Sequence, residues 1–334
     1  MLHGIPNRHE VAIVVPCYNV EGYLQRALDS AFAQTFKDFQ IYAVNDSSTD
    51  RTLDVLEANA RRCSFISQPH AGPAAARNRA IEMSQSDFIA FLDADDEWLP
   101  TKLERQIKLL EEDPTLGLVC SLCRVRGSSH DAAATFPMDG MPRSGKLFRN
   151  LVRSCFVFTP TVVVRRSCLG DVGLFNESLA VSEDFNLWLR IAARWRIAWL
   201  PTVLAVTHKR SGSLSVVISA EERLRNGVAA LEHVRANSPG LSRAEARALR
   251  AALSERIYFY GSHLLSAGAN SPSRRELASA FRLQPMRWRA LAKLALSFLP
   301  ATVVHSLSLL KSRLLNRSFS RALSSSRNAS IADS

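Results

Sequence analysis

Residues Val11-Ala12-Ile13-Val14-Val15 form an unbroken apolar run, rich in β-branched side chains and closed by Pro16, which is the pattern of a strand buried on both faces. The period then changes. Tyr23, Leu24, Ala27, Leu28, Ala31 and Phe32 recur at helical spacing and predict a helix within Glu21 to Phe36, after which Phe39 to Val44 returns to strand character. The alternation continues with a helix over Thr52 to Arg61, a short strand at Ser64-Phe65-Ile66, a helix over Ala74 to Met83 and a second fully apolar strand at Phe88 to Leu92. Strands and helices in this order predict an α/β fold on a doubly wound sheet. Beyond it, Asp113 to Gly145 reads as a strand and then a surface loop, Leu147 to Val152 as a helix and Thr161 to Val164 as a strand. Glu183 to Ala193 reads as a helix whose two leading carboxylates suit the positive end of the helix dipole. The last third is mainly helical, with candidates at Glu221 to Ala236, Arg243 to Leu265 and Arg274 to Phe281.

Ligands of open α/β sheets bind beyond the carboxyl ends of the strands. Here those ends read Pro16-Cys17-Tyr18-Asn19, Asn45-Asp46-Ser47-Ser48 and Asp93-Ala94-Asp95-Asp96. Three carboxylates packed into four residues repel one another, and a hard cation that takes oxygen ligands relieves the repulsion. Mg2+ or Mn2+ is held by one or two carboxylates with water and phosphate oxygens completing the shell, so a site of this kind expects a diphosphate. The same residues also admit a second reading, in which Asp95 or Asp96 caps a helix running from Trp98 to Leu110 with Pro100 in its first turn. The local pattern leaves both open.

Several segments occur in order: V-V-P-C-Y-N at 14–19, A-Q-T-F-K-D-F at 33–39, V-N-D-S-S-T-D at 44–50, G-P-A-A-A-R-N at 72–78 and L-D-A-D-D-E-W-L-P-T-K-L at 92–103. They continue with T-P-T-V-V-V-R-R at 159–166, V-G-L-F-N-E-S-L at 172–179 and S-E-D-F-N-L-W-L-R at 182–190. On these segments the chain resembles family 2 glycosyltransferases over roughly residues 10 to 215. The resemblance implies a type-A glycosyltransferase fold, Rossmann-like with a doubly wound mixed sheet, carrying a helical C-terminal extension. It implies a nucleotide-diphosphate sugar donor bound by Pro16, Tyr18, Asn19, Asp46, Arg77, Asp93, Ala94 and Asp95. In that arrangement Tyr18 lies against the base, Asp46 accepts a hydrogen bond from the base, and Arg77 faces the phosphates. Asp93 contacts the ribose and the metal shell, and Asp95 is the direct ligand of Mn2+ or Mg2+. Asp184 is the general base beside Glu183. The expected reaction is an inverting, metal-dependent transfer to a glycan or lipid-linked acceptor in cell-surface polysaccharide synthesis, lipopolysaccharide among its products.

The chain departs from the family pattern at three places. Asn45 stands where many relatives have aspartate, and Ser47 where many have glycine. Relatives often carry a histidine before a G-S-x-S segment, whereas here Arg210 takes that slot ahead of Ser211-Gly212-Ser213-Leu214-Ser215, and His208 reaches the metal only with a local shift. Two other classes compete. A nucleotidyltransferase would share sheet and metal, but no Gly-rich activating loop adjoins the first strand; a non-catalytic glycan-binding scaffold is opposed by intact Asp46, Asp93, Asp95 and Asp184.

Charge changes the picture only at the C-terminus. Residues 1–220 carry 24 Lys+Arg and 24 Asp+Glu, whereas residues 221–334 carry 18 against 7, which is the whole of the net +11. From Arg287 to Arg317, apolar Trp288, Leu291, Leu294, Phe298, Val303, Leu307, Leu310 and Leu314 alternate with basic residues, a pattern for helices lying on an anionic membrane surface or packed as a cap. The uncharged stretch Leu294 to Leu310, interrupted by Pro300 and His305, falls short of the ~20 residues of a spanning helix. The expected division is therefore an extension at 1–10, a catalytic domain at 11–218, a basic helical extension at 219–317 and a disordered Ser-rich tail at 318–334. No nucleic-acid motif accompanies the charge. The first apolar run is too short for a secretory core, which predicts a cytoplasmic protein; the membrane-surface alternative for the tail would place it peripherally on the inner membrane face. Six scattered cysteines read as reduced thiols, and Cys120-x-x-Cys123 lacks a second pair to complete a zinc site.

Overall fold

The computed structural model describes residues 10–127, 133–134, 141–210, 212–213, 217–285 and 288–299. The extension before Glu10, the loop around 128–140, the tail beyond 299 and the Ser-rich end expected to be disordered lie partly or wholly outside the described residues. The chain divides into two compact units between Leu249 and Arg250, inside the helix Arg243–Ser266.

The first unit is built on one mixed sheet. Four parallel strands come first: β1 (Val11–Cys17), β2 (Phe39–Asn45), β3 (Cys63–Ser67) and β4 (Phe88–Phe91), arranged 3-2-1-4 in space. They alternate with α1 (Leu24–Phe32), α2 (Thr52–Ala58) and α3 (Gly72–Glu82), as the hydrophobic periods require. β1 is the centre: Val11 to Val15 are fully buried, and α1 lays Leu24, Ala27, Leu28 and Ala31 into the same core. Pairing of β1 with β4 ends at Val14–Phe91, so Pro16, which has no N–H to give, pairs only with Val44 of β2.

The second half of the sheet departs from the sequence expectation. A two-residue strand, β5 (Glu97–Trp98), sits where the helix was expected to begin; α4 starts only at Lys102, behind Thr101, and runs to Glu112. The helix-cap reading of Asp95 and Asp96 is therefore wrong, because Glu97 and Trp98 are held extended by pairing with Val206 and Ala205. β6 (Leu116–Arg126) is followed by the short β7 (Ala133–Ala134) and β8 (Ser144–Gly145), then by α5 (Phe148–Arg153). The strand expected at Thr161 begins later, as β9 (Val163–Arg165), since Thr159–Thr161 close a 3-10 turn around Pro160. β9 runs antiparallel between β4 and β6. After α6 (Arg166–Val172) and α7 (Glu183–Arg194) comes β10 (Arg196–His208), 13 residues parallel to β6. No periodicity announced β10: Pro201 interrupts it and its register slips at three points against β6.

The helix Ala220–Asn237, expected in the extension, packs within the first unit, where Asn186 of α7 donates to the Ala230 carbonyl over 2.9 Å. In the second unit, the helix Asn270–Leu283 approaches the preceding helix closely at Gly261: a Cβ there would lie 3.0 Å from Glu276 Cβ. The Ser273 hydroxyl donates to the Gly261 carbonyl at the same crossing. Of the expected amphipathic tail, Trp288–Leu296 is helical, with Trp288 and Leu291 exposed and Leu294 packed against Leu265 and Leu277. Among the described residues no helix is long and apolar enough to cross a membrane.

Candidate active site

Three loops meet at the carboxyl ends of β1, β2 and β4. Three non-glycine residues at the site take left-handed backbone, Asn19 (φ 51°), Ser47 (φ 61°) and Ser182 (φ 66°), a conformation that costs about 1–3 kcal/mol and is held by surrounding bonds. Asn19 is one such bond: its Oδ1 accepts from the Thr49 amide over 2.8 Å, while its own amide donates to Ser48. Asn19 thus stitches the β1 loop to the β2 loop. Asn45 shows why an amide suits its position, since Nδ2 donates to Ser67 and Oδ1 accepts from the Ser48 N–H. Ser47, in the left-handed region, occupies a position where glycine is the unstrained choice.

Asp46 is 2% exposed and engaged by its own chain. Its carboxylate accepts from the Ala71 and Gly72 amides at the start of α3, both over 2.9 Å, and from Gln68, and it lies 2.9 Å from His70 Nδ1. It is a cap supplied from a distance, negative charge placed on the unpaired amides of a helix N-terminus. His70 in turn stacks on Tyr18, ring centroids 4.4 Å apart, and Tyr18 is 45% exposed. An exposed aromatic pair at a strand end is a platform for a planar ligand. Sequence reading did not select His70; its place beside the strand-end residues is visible only once β3 is folded.

α3 carries Arg77 into the centre of the site. Its Nη2 donates to Asp93 over 2.8 Å and its Nη1 to Glu183 over 2.7 Å, while its guanidinium lies 5.4 Å from the Phe175 ring centroid. Burial opposes the charge, yet Asp93 and Glu183 hold the pKa of Arg77 above its ordinary value. The neighbouring Asn78 clamps the loop before α7, accepting from the Phe175 amide and donating to its carbonyl, and Arg190 of α7 donates to the Val172, Gly173 and Leu174 carbonyls. Burial lowers the pKa of Arg190 to about 10. These two residues explain the segment at 172–179.

At the head of α7 the two carboxylates divide. Glu183 is committed to Arg77 and buried; its pKa is pushed up to about 7, first by burial and then by Asp184, with Arg77 acting the other way. Asp184 is partly exposed, accepting from the Thr159 hydroxyl over 3.0 Å and from the Phe185 amide.

The acidic cluster itself is a turn closed by the Asp96 amide donating to the Asp93 carbonyl, with Ala94 buried inside it. Asp93 faces Arg77, Asp95 faces Arg210, and Asp96 accepts from the His208 amide. Burial, then the charges of Asp93 and Asp95, hold the Asp96 carboxyl well above the usual range. His208, expected to reach the metal only with a local shift, is turned onto Glu97 over 2.6 Å. Among the described residues no three His, Cys, Asp or Glu side chains converge as a metal cage. The donor set that remains, Asp93 and Asp95 with partial exposure, fits Mn2+ or Mg2+ only in the form those ions accept, one or two carboxylates with phosphate oxygens and water doing the rest. Cys120 and Cys123 lie buried on opposite faces of β6, and burial pushes their thiols up to about 12 and about 11.

A family model described as Glycosyl transferase family 2 matches residues 12–168. The Escherichia coli protein WfgD, a UDP-Glc:alpha-D-GlcNAc-diphosphoundecaprenol beta-1,3-glucosyltransferase, is 30% identical over 183 residues, covering 54% of this chain and 69% of that protein. The match spans only 26% of an uncharacterized glycosyltransferase of Rickettsia bellii and 58% of one of Rickettsia typhi. Among solved structures, S. aureus TarS 1-349 in complex with UDP-GlcNAc shares the fold with a TM-score of 0.69 at 20% identity, over 90% of this chain and 92% of that one. The mannosyltransferase PcManGT of Pyrobaculum calidifontis, in complex with GDP-Man and Mn2+, does so with a TM-score of 0.54 at 21% identity, over 90% and 88%.

Proposed function

The chain belongs to glycosyl transferase family 2, and from that membership we propose that it moves a sugar from a nucleotide-diphosphate donor onto a glycan or lipid-linked acceptor, with inversion, in cell-surface polysaccharide synthesis. The observation that carries this reading is the double ion pair of Arg77, which joins Asp93 at the end of β4 to Glu183, the neighbour of Asp184 at the head of α7. A donor site and a candidate base are thereby fixed to one buried side chain.

In this reading the Tyr18–His70 pair receives the base of the nucleotide, with Pro16, Asn19 and Asp46 shaping the loops beneath it. Asp93, Ala94 and Asp95 line the ribose and diphosphate side. Asp184 takes the proton from the acceptor hydroxyl as its oxygen attacks the anomeric carbon from the side opposite the diphosphate, so a single displacement inverts that centre. Asp93 and Asp95 are the residues that would hold Mn2+ or Mg2+, and such an ion supplies Lewis-acid charge for the departing nucleoside diphosphate. Transfer to a lipid-linked acceptor suits a protein that touches a membrane peripherally: Trp288, Leu291 and Phe298 are exposed, and Arg274 lies 4.6 Å from the Phe298 ring centroid.

Calorimetric screening of nucleotide sugars, followed by transfer assays with the donors that bind, tests the function. Failure to bind any of them, or pyrophosphate release from a nucleoside triphosphate and a sugar phosphate, overturns it. A pH profile tests the division of labour between the two carboxylates. As pH rises through about 7, Glu183 ionises and its ion pair with Arg77 is completed, fixing the head of α7 on which Asp184 sits; transfer rate rises with an inflection near that value. In Glu183→Gln the inflection is expected to vanish, and its survival there assigns it to another group.

A further inference from the structure

Asp95, where the family resemblance places a divalent ion, already holds a cation. Arg210 Nε donates to Asp95 Oδ2 over 2.6 Å, with the two side chains 22% and 18% exposed. Arg210 lies at the site because β10 delivers it: Val206, Thr207 and His208 pair with Arg124, Val125 and Arg126 of β6, and Asp96 accepts from the His208 amide. The guanidinium rests 5.1 Å from the Tyr23 ring centroid, and Arg26, on the same side, donates to the Asp95 carbonyl and pairs with Glu97 over 3.2 Å. His208, which shares the strand, is engaged by Glu97 and does not compete for Asp95.

A diphosphate entering beside Asp93 and Asp95 meets like charge and needs a cation. Arg77 cannot serve alone, being buried and spanning Asp93 and Glu183. Arg210 is partly exposed, is paired to Asp95, and has the forked donors that match phosphate oxygens. We propose that Arg210 is the donor-binding cation of this site: it rests on Asp95 when no donor is present and moves onto the diphosphate when the donor arrives. Nucleoside-diphosphate affinity then persists in the absence of a divalent ion. The inference rests on the family reading of the site as a nucleotide-sugar pocket, and it assigns to an arginine the charge that an Asp95-bound ion carries in the expected arrangement.

The test is calorimetry of UDP, GDP, CDP and ADP, each beside its own nucleoside, on the full chain in excess chelator and again with Mn2+. The wild-type chain is expected to bind one of the diphosphates in chelator. Arg210→Gln, which keeps hydrogen-bonding capacity and loses the charge, weakens that binding about 10- to 100-fold, as befits one charge-assisted contact, and leaves the nucleoside's affinity unchanged. Arg210→His gains affinity on addition of Mn2+ by a larger factor than the wild type does. Unaltered diphosphate affinity of Arg210→Gln in chelator overturns the role of Arg210. So does a wild-type chain that binds diphosphate only with Mn2+. If the wild-type chain binds no nucleotide with or without Mn2+, the nucleotide-sugar reading itself fails, and this inference fails with it.

Discussion

Replacing Asp184 by asparagine is expected to slow sugar transfer by about 10²- to 10⁴-fold, the range a positioned general base contributes, while leaving donor affinity within about twofold. The choice of Asp184 over Glu183 follows from what each carboxylate is doing. Glu183 is buried and joined to Arg77, so it is short of both access and freedom. Asp184 is partly exposed and oriented by two donors, the Thr159 hydroxyl on Oδ2 and the Phe185 amide on Oδ1; an asparagine Oδ1 keeps the Phe185 amide, and its Nδ2 can donate to the Thr159 hydroxyl, which accepts as readily as it donates. The substitution therefore removes the proton acceptor and little else. Transfer kinetics beside donor titration give the two quantities separately. Full transfer by a normally folded Asp184→Asn protein rules out the base assignment and shifts attention to Glu183.

The parts of this molecule that were legible in its sequence are those whose signal is local. Val11 to Val15 and Phe88 to Leu92 announce strands because both their faces are buried and every position must be apolar. α1 and α7 announce themselves by period. β10 does not, since Pro201 and three register slips break any alternation, and a strand recognised only by its partner β6 has no local signature. The same holds in the site. The strand-end residues from Tyr18 to Asp95 could be gathered by the rule that ligands sit at carboxyl ends, but their partners come from far along the chain. Arg210 is 115 residues from Asp95, Glu183 is 106 from Arg77, and the Asp96 to His208 bond spans 112. The helix-cap reading of Asp95 and Asp96 failed for a related reason: β5 exists only because β10 is there to pair with it. In the sequence Arg210 is a departure from the family pattern, and only the fold shows that this side chain is itself bonded to Asp95.

Loss of the Arg77 side chain should have the largest effect on stability. A buried ion pair contributes little net stability while intact, but removing one partner strands a buried charge, at a cost of about 3–5 kcal/mol. Arg77 serves two carboxylates, so well above pH 7 Arg77→Ala leaves an ionised Glu183 buried without its cation, and it leaves Asp93 beside Asp95 and Asp96 without its own ion pair, Arg210 still holding Asp95. Denaturant unfolding is expected to show that full loss, and donor binding falls with it because the Asp93 loop is no longer tied to α3. Arg77→Lys separates charge from geometry: one ammonium cannot bond both carboxylates as the two guanidinium nitrogens do, so part of the stability and most of the donor affinity are lost. The decisive arm is the double variant Arg77→Ala with Glu183→Gln. Neutralising the stranded carboxylate removes the penalty, so the double variant should be more stable than Arg77→Ala alone, a coupling opposite in sign to additive damage. If instead Arg77→Ala costs less than about 1 kcal/mol, or the second substitution only adds to the loss, then Arg77 is not the charge that holds donor site and base together.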